Sequence, residues 1–273
     1  ESPSYLGALN AFNAYQPKFV EVPTDNGGLI PEELDKILET TPNCKFIYVI
    51  PDFQNPTGRT WSMERRKAFM EVVNKHNLPV IEDNPYGELR YEGEILPSLK
   101  SLDTKGLVMF LGTFSKIFCP GLRLGWIAAE HSLLSEFVKI KQSADLHTSN
   151  FDQGVADAYM EQYDLDEHVK EIVALYKHRR DVILKAMEEK FPAGTEWTHP
   201  EGGLFLWLTF PEGVSARKVF NKCIEMKVAG VIGDAFYPNQ KTDRSMRINY
   251  SNMPDDRIVE GIERMAKAIK ECM

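Results

Sequence analysis

Long hydrophobic runs, basic blocks and paired cysteines are all missing from this chain. In 273 residues no apolar stretch approaches the length of a membrane span, and the opening Glu1-Ser2-Pro3-Ser4-Tyr5 does not read as a signal peptide. Cys44, Cys119, Cys223 and Cys272 lie far apart and form no CxxC, so reduced thiols in a cytoplasmic protein are expected rather than a disulfide framework. Six scattered histidines show no HExxH or paired spacing, which argues against a dedicated metal site. Lys and Arg number 32 against 40 Asp and Glu, a net charge of −8 with no basic stripe, so a nucleic-acid surface is not expected either. What is present is the composition of a globular protein, 43% apolar and 26% charged, with length enough for two domains. Internal repeats and low-complexity segments are not visible.

Strand and helix patterns alternate along the first half. Lys18 to Val22 alternates and reads as a strand, closed by the turn Asp25-Asn26-Gly27-Gly28. Pro31-Glu32-Glu33-Leu34 opens a helix, with proline in the first turn and acids at its positive end. Lys45 to Ile50 and Leu78 to Ile81 read as strands; the helix between them starts at Ser62 and turns positions 69, 72 and 73 inward. Leu107 to Leu111 and Leu124 to Ala129 read as two further buried strands. This alternation predicts an α/β fold, a three-layer arrangement around a mostly parallel sheet. Beyond Ser132 the pattern is helical, over 152–163 and about 167–190, until Phe191-Pro192-Ala193-Gly194 stops it. A strand over 203–210, a helix over 216–226, strand pieces around 228–232 and 245–250 and a helix from Pro254 then predict a smaller carboxyl-terminal α/β domain. The change of domain is placed at 165, with a large domain over 1–165 and a connecting helix plus small domain over 166–273.

Ligands of such sheets sit beyond the carboxyl ends of the strands. Asn55, Asp83 and the loop Thr113-Phe114-Ser115-Lys116 all fall there. With Arg123, that loop puts two hydroxyls, an amine and a guanidinium within eleven residues. A lysine between two buried strands is costly unless paired or chemically used. Thr113, Ser115 and Arg123 suit a phosphate, and Lys116 suits a carbonyl. On the loop alone, a Schiff-base lysine of a pyridoxal-phosphate enzyme and a solvated lysine between two strands weigh equally. Singly, the other features are as plain: Asn-Pro-Thr-Gly is an ordinary turn, Tyr86 suits a core, and Arg247 suits a structural ion pair.

Taken in order, Asn55, Asp83, Tyr86, Thr113, Ser115, Lys116, Arg123 and Arg247 are more telling. With the stretches ESPSYLGAL, PDFQNPTG, EDNPYGELRY, GTFSKIFCPGLRLGW, EGGLFLW and MRINYS, the chain resembles the fold-type-I pyridoxal-phosphate aminotransferases of class I/II along its whole length. The 2-aminoadipate and kynurenine aminotransferase group is the nearest likeness. The resemblance implies a cofactor-binding large domain in which Lys116 forms the Schiff base with pyridoxal 5'-phosphate and later acts as general base. It also implies that Thr113, Ser115 and Arg123 bind the phosphate, and that Asp83 pairs with the ring nitrogen. Asn55 and Tyr86 would donate to the phenolic oxygen, Tyr5 would stack on the ring, and Arg247 and Asn55 would bind the substrate, Arg247 clamping its carboxylate. Gly202-Gly203 matches a family loop, and Asn150 is expected to cap the helix that follows it.

The resemblance further implies a homodimer, an amino acid and a 2-oxo acid as substrates, and an additional amino-terminal segment with a Gly-rich phosphate-binding helix start. Without that segment, weaker cofactor binding, unpaired sheet edges and bare apolar surface are expected. Beside the aminotransferase stand three other readings: a truncated, inactive pyridoxal-phosphate-binding protein, the effector domain of an aminotransferase-like transcription regulator, and a pyridoxal-phosphate lyase.

Overall fold

Two four-stranded sheets organise the computed structural model, which describes residues 1–239 and 242–273. In the first, Ile47–Val49, Val80–Asp83 and Val108–Thr113 run parallel, and Gly125–Ala128 closes the row antiparallel to Val108–Thr113. The mostly parallel sheet of an α/β fold is therefore present. Parallel neighbours need crossovers, and the first is the helix Met63–His76. Ser62 caps it by accepting from the Arg65 amide at 3.2 Å, and Asn77 ends it in the left-handed region. Its inward face buries Phe69, Met70 and Val73 against Val49, Val80 and Val108.

The second sheet is antiparallel throughout, in the order Glu196–Trp197, Phe205–Thr209, Ser245–Asn249, Val231–Ile232. Alternation along a strand sends successive side chains to opposite faces, and here the two faces have different tasks. Leu206, Leu208, Met246 and Ile248 join Val219, Ile262 and Ile269 of the helices Ala216–Glu225 and Asp255–Cys272 in one core. The carboxyl half of the helix Leu165–Lys190 adds Ile183 and Met187. Phe205, Trp207 and Arg247 take the other face.

A smaller cluster of Phe53, Tyr86, Leu89 and Leu204 lies between the sheets. Glycines permit this approach. Gly203 has φ +74°, and a Cβ there would stand 2.6 Å from Cβ of Phe53; at Gly58, φ +70°, it would stand 2.5 Å from the Phe205 carbonyl oxygen. The Gly202-Gly203 segment, equally acceptable as a plain turn from sequence, is thus a point of close contact. Buried charge reinforces it. Arg66 pairs with Asp52 at 2.6 Å, and Arg90 reaches both Asp52 (3.4 Å) and Glu201 (3.2 Å) while lying over the Phe53 ring.

Several sequence expectations are corrected. Lys18 to Val22 forms no strand: it pairs with no neighbouring strand, and Asn239 instead bonds to the Glu21 carboxylate and the Phe19 carbonyl. Gly125–Ala128 is a strand but not a buried one, because it is paired on one edge only and Trp126 stays 49% exposed. Asn150 is the first residue of its helix rather than the cap; Ser149 takes that role, its hydroxyl accepting from the Asp152 amide at 3.4 Å. The helix Leu6–Asn13 carries no strong amphipathic signal and was not expected. Among the described residues no helix is long and apolar enough to cross a membrane.

Candidate active site

The carboxyl ends of the parallel strands bring the polar stretches together. Asp83 is the last residue of Val80–Asp83, Thr113 the last of Val108–Thr113, and Asn55 follows Ile47–Val49 through a turn. That turn is pinned by Gln54, whose Oε1 accepts from the amide and hydroxyl of Thr57 (2.8 and 2.7 Å) and whose Nε2 donates to the Pro3 carbonyl at 2.8 Å. The Ser4 amide in turn donates to the Phe236 carbonyl at 2.9 Å. Tyr5 is thereby held at the site's edge, one-third exposed, with its ring folded over Gly7.

Asn55 is the hub. It is buried; its Nδ2 donates to the Tyr86 hydroxyl at 3.3 Å, and its Oδ1 accepts from Arg247 Nη1 at 2.9 Å. Arg247 comes from the second sheet, so this bond crosses between the two. Its guanidinium lies 4.1 Å from the Phe205 ring centroid and 5.2 Å from that of Phe236, a stacking that lysine cannot reproduce. Tyr86 meets Phe205 edge-on at 5.9 Å, and burial raises its phenol above the ordinary range, so it remains a hydrogen-bond donor.

Three cations, Lys116, Arg123 and Arg247, have no carboxylate partner among the described residues. Partial burial, together with the positive charges of Arg123 and Arg247, lowers the pKa of the Lys116 ammonium. Arg123 donates to the Pro120 carbonyl at 3.0 Å and is otherwise exposed, on a backbone with φ 56°. A left-handed arginine is uncommon, and such residues gather at functional sites. Asp83 has the opposite problem: burial raises its pKa, and the Tyr48 hydroxyl, donating to Oδ2 at 2.6 Å, opposes the rise.

Thr113 is engaged within its own loop. Its hydroxyl donates to the Leu124 carbonyl at 3.0 Å and accepts from the Ser115 amide at 3.1 Å, so its one proton is used in closing the loop. The Ser115 hydroxyl makes no bond to the described residues and stays available. Tyr48 and Phe236 escaped the sequence reading, and Gln54 and Phe205 entered it only inside the PDFQNPTG and EGGLFLW stretches, without a role of their own. Nothing local marks them; strand register and the packing of the second sheet put them there. A separate apolar groove of about 750 Å³, lined among others by Val228, Ile248, Met253 and Ile262, shares only the strand of Arg247 with this cluster.

A depressed lysine, an acid with one oxygen uncommitted, an exposed arginine near that lysine and a serine hydroxyl left free suit a single ligand. These groups would suit a ligand that combines a carbonyl, a ring cation and an anion. Pyridoxal 5'-phosphate has all three, and the residues fit it. The α/β fold is that of the fold-type-I pyridoxal-phosphate proteins, and the candidate site is compatible with that cofactor.

Known proteins agree. The family of class I and II aminotransferases matches residues 1–265. Aromatic-amino-acid aminotransferase 1 of Thermococcus litoralis is 45% identical over all of this chain and 66% of its own length. The 2-aminoadipate transaminase of Thermus thermophilus is 34% identical over 99% of this chain and 68% of its own. A kynurenine aminotransferase from Pyrococcus horikoshii, solved in complex with PMP, superposes with a TM-score of 0.95 at 42% identity, over 99% of this chain and 68% of that one. The chain belongs to the class I and II aminotransferase family, and it spans about two thirds of the length of these relatives.

Proposed function

We propose that this chain carries the chemistry of a pyridoxal-phosphate-dependent aminotransferase. It would move an amino group between an aromatic, branched or 2-aminoadipate-like L-amino acid and a 2-oxo acid such as 2-oxoglutarate. The protein would work as a cytoplasmic homodimer. The observation that carries the reading is the Asn55–Arg247 bond, which joins the cofactor rim of one sheet to a carboxylate clamp on the other.

Arg247 would bind the substrate α-carboxylate through its planar fork, held flat by Phe205 and Phe236. Asn55 fixes that fork and, with Tyr86, offers donors to a phenolic oxygen. Asp83 would face a protonated ring nitrogen and hold it charged. Ser115 and Arg123 would take the phosphate, with Thr113 shaping the loop. When bound, the cofactor supplies an electron sink for the pair released at the substrate Cα. Lys116, whose ammonium is pushed to a lower pKa by burial and two neighbouring cations, would take the Cα proton and deliver it to the cofactor carbon within the same half-reaction. Two such halves give a ping-pong exchange of amino acid for oxo acid.

Adding pyridoxal phosphate should produce a visible absorption band that Lys116→Ala abolishes. Aromatic, branched or 2-aminoadipate substrates should then bleach it, and 2-oxoglutarate should restore it. A band that persists with every amino acid would favour the inactive cofactor-binding protein. No band at all would overturn every cofactor-dependent reading.

A further inference from the structure

We infer that Tyr48 is the positioning residue for Asp83, holding one carboxylate oxygen so that the other faces the ring nitrogen of the cofactor, an inference that rests on the function proposed above. Strand pairing sets the geometry. Tyr48 stands opposite Ile81 in the parallel pair of Ile47–Val49 with Val80–Asp83. Asp83 lies two residues further along, on the same face. A tyrosine reaches such a diagonal neighbour, and 2.6 Å from its hydroxyl to Asp83 Oδ2 is the length of a charge-assisted O–H···O⁻ bond. The ring is itself anchored. Phe12 of the helix Leu6–Asn13 meets it edge-on at 5.6 Å, and Phe46 packs against Phe12 at 5.1 Å. Locked by packing, the hydroxyl cannot follow Oδ2 if the carboxylate turns.

No other hydrogen bond reaches this carboxylate from the described residues. Oδ1 is left for a ligand. The titratable groups around the pair are few: Tyr86 beyond the strand end, and Glu1 on the side of Tyr48. The adjoining strand, Val108–Thr113, and the helix Leu6–Asn13 contain no ionisable side chain. Burial therefore drives Asp83 toward its neutral form, and the Tyr48 bond is what opposes it. A neutral Asp83 would lose its attraction for a ring cation. Tyr48 stays a donor throughout, because burial and the adjacent carboxylate push its phenol well above the ordinary value.

The test is cofactor titration of the whole chain across pH, comparing wild type, Tyr48→Phe, Asp83→Asn and the double variant. Tyr48→Phe should weaken pyridoxal phosphate binding about tenfold at neutral pH, the loss expected for one hydrogen bond to a charged acceptor. It should also move the acid limb of binding to higher pH, since losing a donor to the charged form raises the Asp83 pKa. In the Asp83→Asn background the same change should be silent, which a purely structural tyrosine would not produce. The Asp83 carboxyl titration, followed by carbon NMR in the cofactor-free chain, should shift upward in Tyr48→Phe. An unmoved acid limb and carboxyl titration, or losses that simply multiply in the double variant, would overturn the inference. Failure of the wild type to bind the cofactor would overturn the function and the ring-nitrogen role together, while the carboxyl titration still decides the Tyr48 bond.

Discussion

The two sheets hold four strands each, yet one is sealed and the other is open. Helices close one face of the carboxyl-terminal sheet so completely that Leu206, Leu208, Phe210 and Met246 have no exposure. Around the amino-terminal sheet, coverage stops at Gly125–Ala128. The helix His131–Ala144 carries Leu133, Leu134, Phe137, Val138 and Ile140 but buries none of its residues, and Asn150–Gln162 buries only Ala156. Apolar residues stabilise in proportion to the surface that neighbours remove from water, so similar residue types contribute very differently in the two places. The candidate site lies at the seam between the sheets, where buried charge pairs and close glycine contacts replace simple apolar packing.

The sharpest break between the regions should come from Phe210→Ala in the sealed core, at a cost of about 3–5 kcal/mol in urea unfolding. A loss much smaller than that would mean the core is looser than its burial implies. Next comes Glu82→Gln in the open sheet. Both Glu82 oxygens accept backbone amides, from Leu99 and Lys100 at 2.8 Å each, and a side-chain NH₂ would face a donor with no acceptor to offer. About 1–3 kcal/mol should be lost. Burial pushes Glu82 up to about 7 from an ordinary 4.5. The folded carboxyl thus holds its proton more tightly than the unfolded one, and the stability this contributes is full below pH 4.5 and lost as pH rises through about 7. That slope should vanish in Glu82→Gln, as unfolding midpoints across pH will show.

Arg123→Gln tests the seam. Cofactor affinity should fall about tenfold with one charge-assisted phosphate contact gone. Growth of the visible band should move to higher pH, because removing a neighbouring cation restores the Lys116 ammonium. An unmoved profile would detach Arg123 from the lysine. The smallest effect is expected for Ile140→Ser, 59% exposed on the bare helix, which should change the unfolding midpoint by less than about 0.5 kcal/mol. A larger loss would show that this face is covered in solution, and the contrast between the sheets would then disappear.

Much of the fold was legible because its signals are local. Proline at residue 31, serine at 62 and glycine at 194 punctuate helices, and short apolar runs mark the strands. The candidate site was proposed from residue types in order: Asn55, Asp83, Lys116 and Arg247 are polar groups at strand ends or within apolar strands, where their presence calls for a reason. Tyr48 was not, since a tyrosine in a strand looks like core until its register is known. Gly125–Ala128 misled for the converse reason: an apolar strand carries no sign of whether anything covers it.

The sequence by itself determined the α/β class, the chemical groups available and their assignment to strand ends, because backbone preference and side-chain chemistry are properties of single residues and short spacings. Only the tertiary structure decided that Arg247 meets Asn55 across two sheets and that Thr113 spends its hydroxyl on its own loop. It also decided that Tyr48 holds Asp83. Each depends on residues far apart in the chain being brought within a hydrogen bond of one another, and that distance is set by how whole sheets pack.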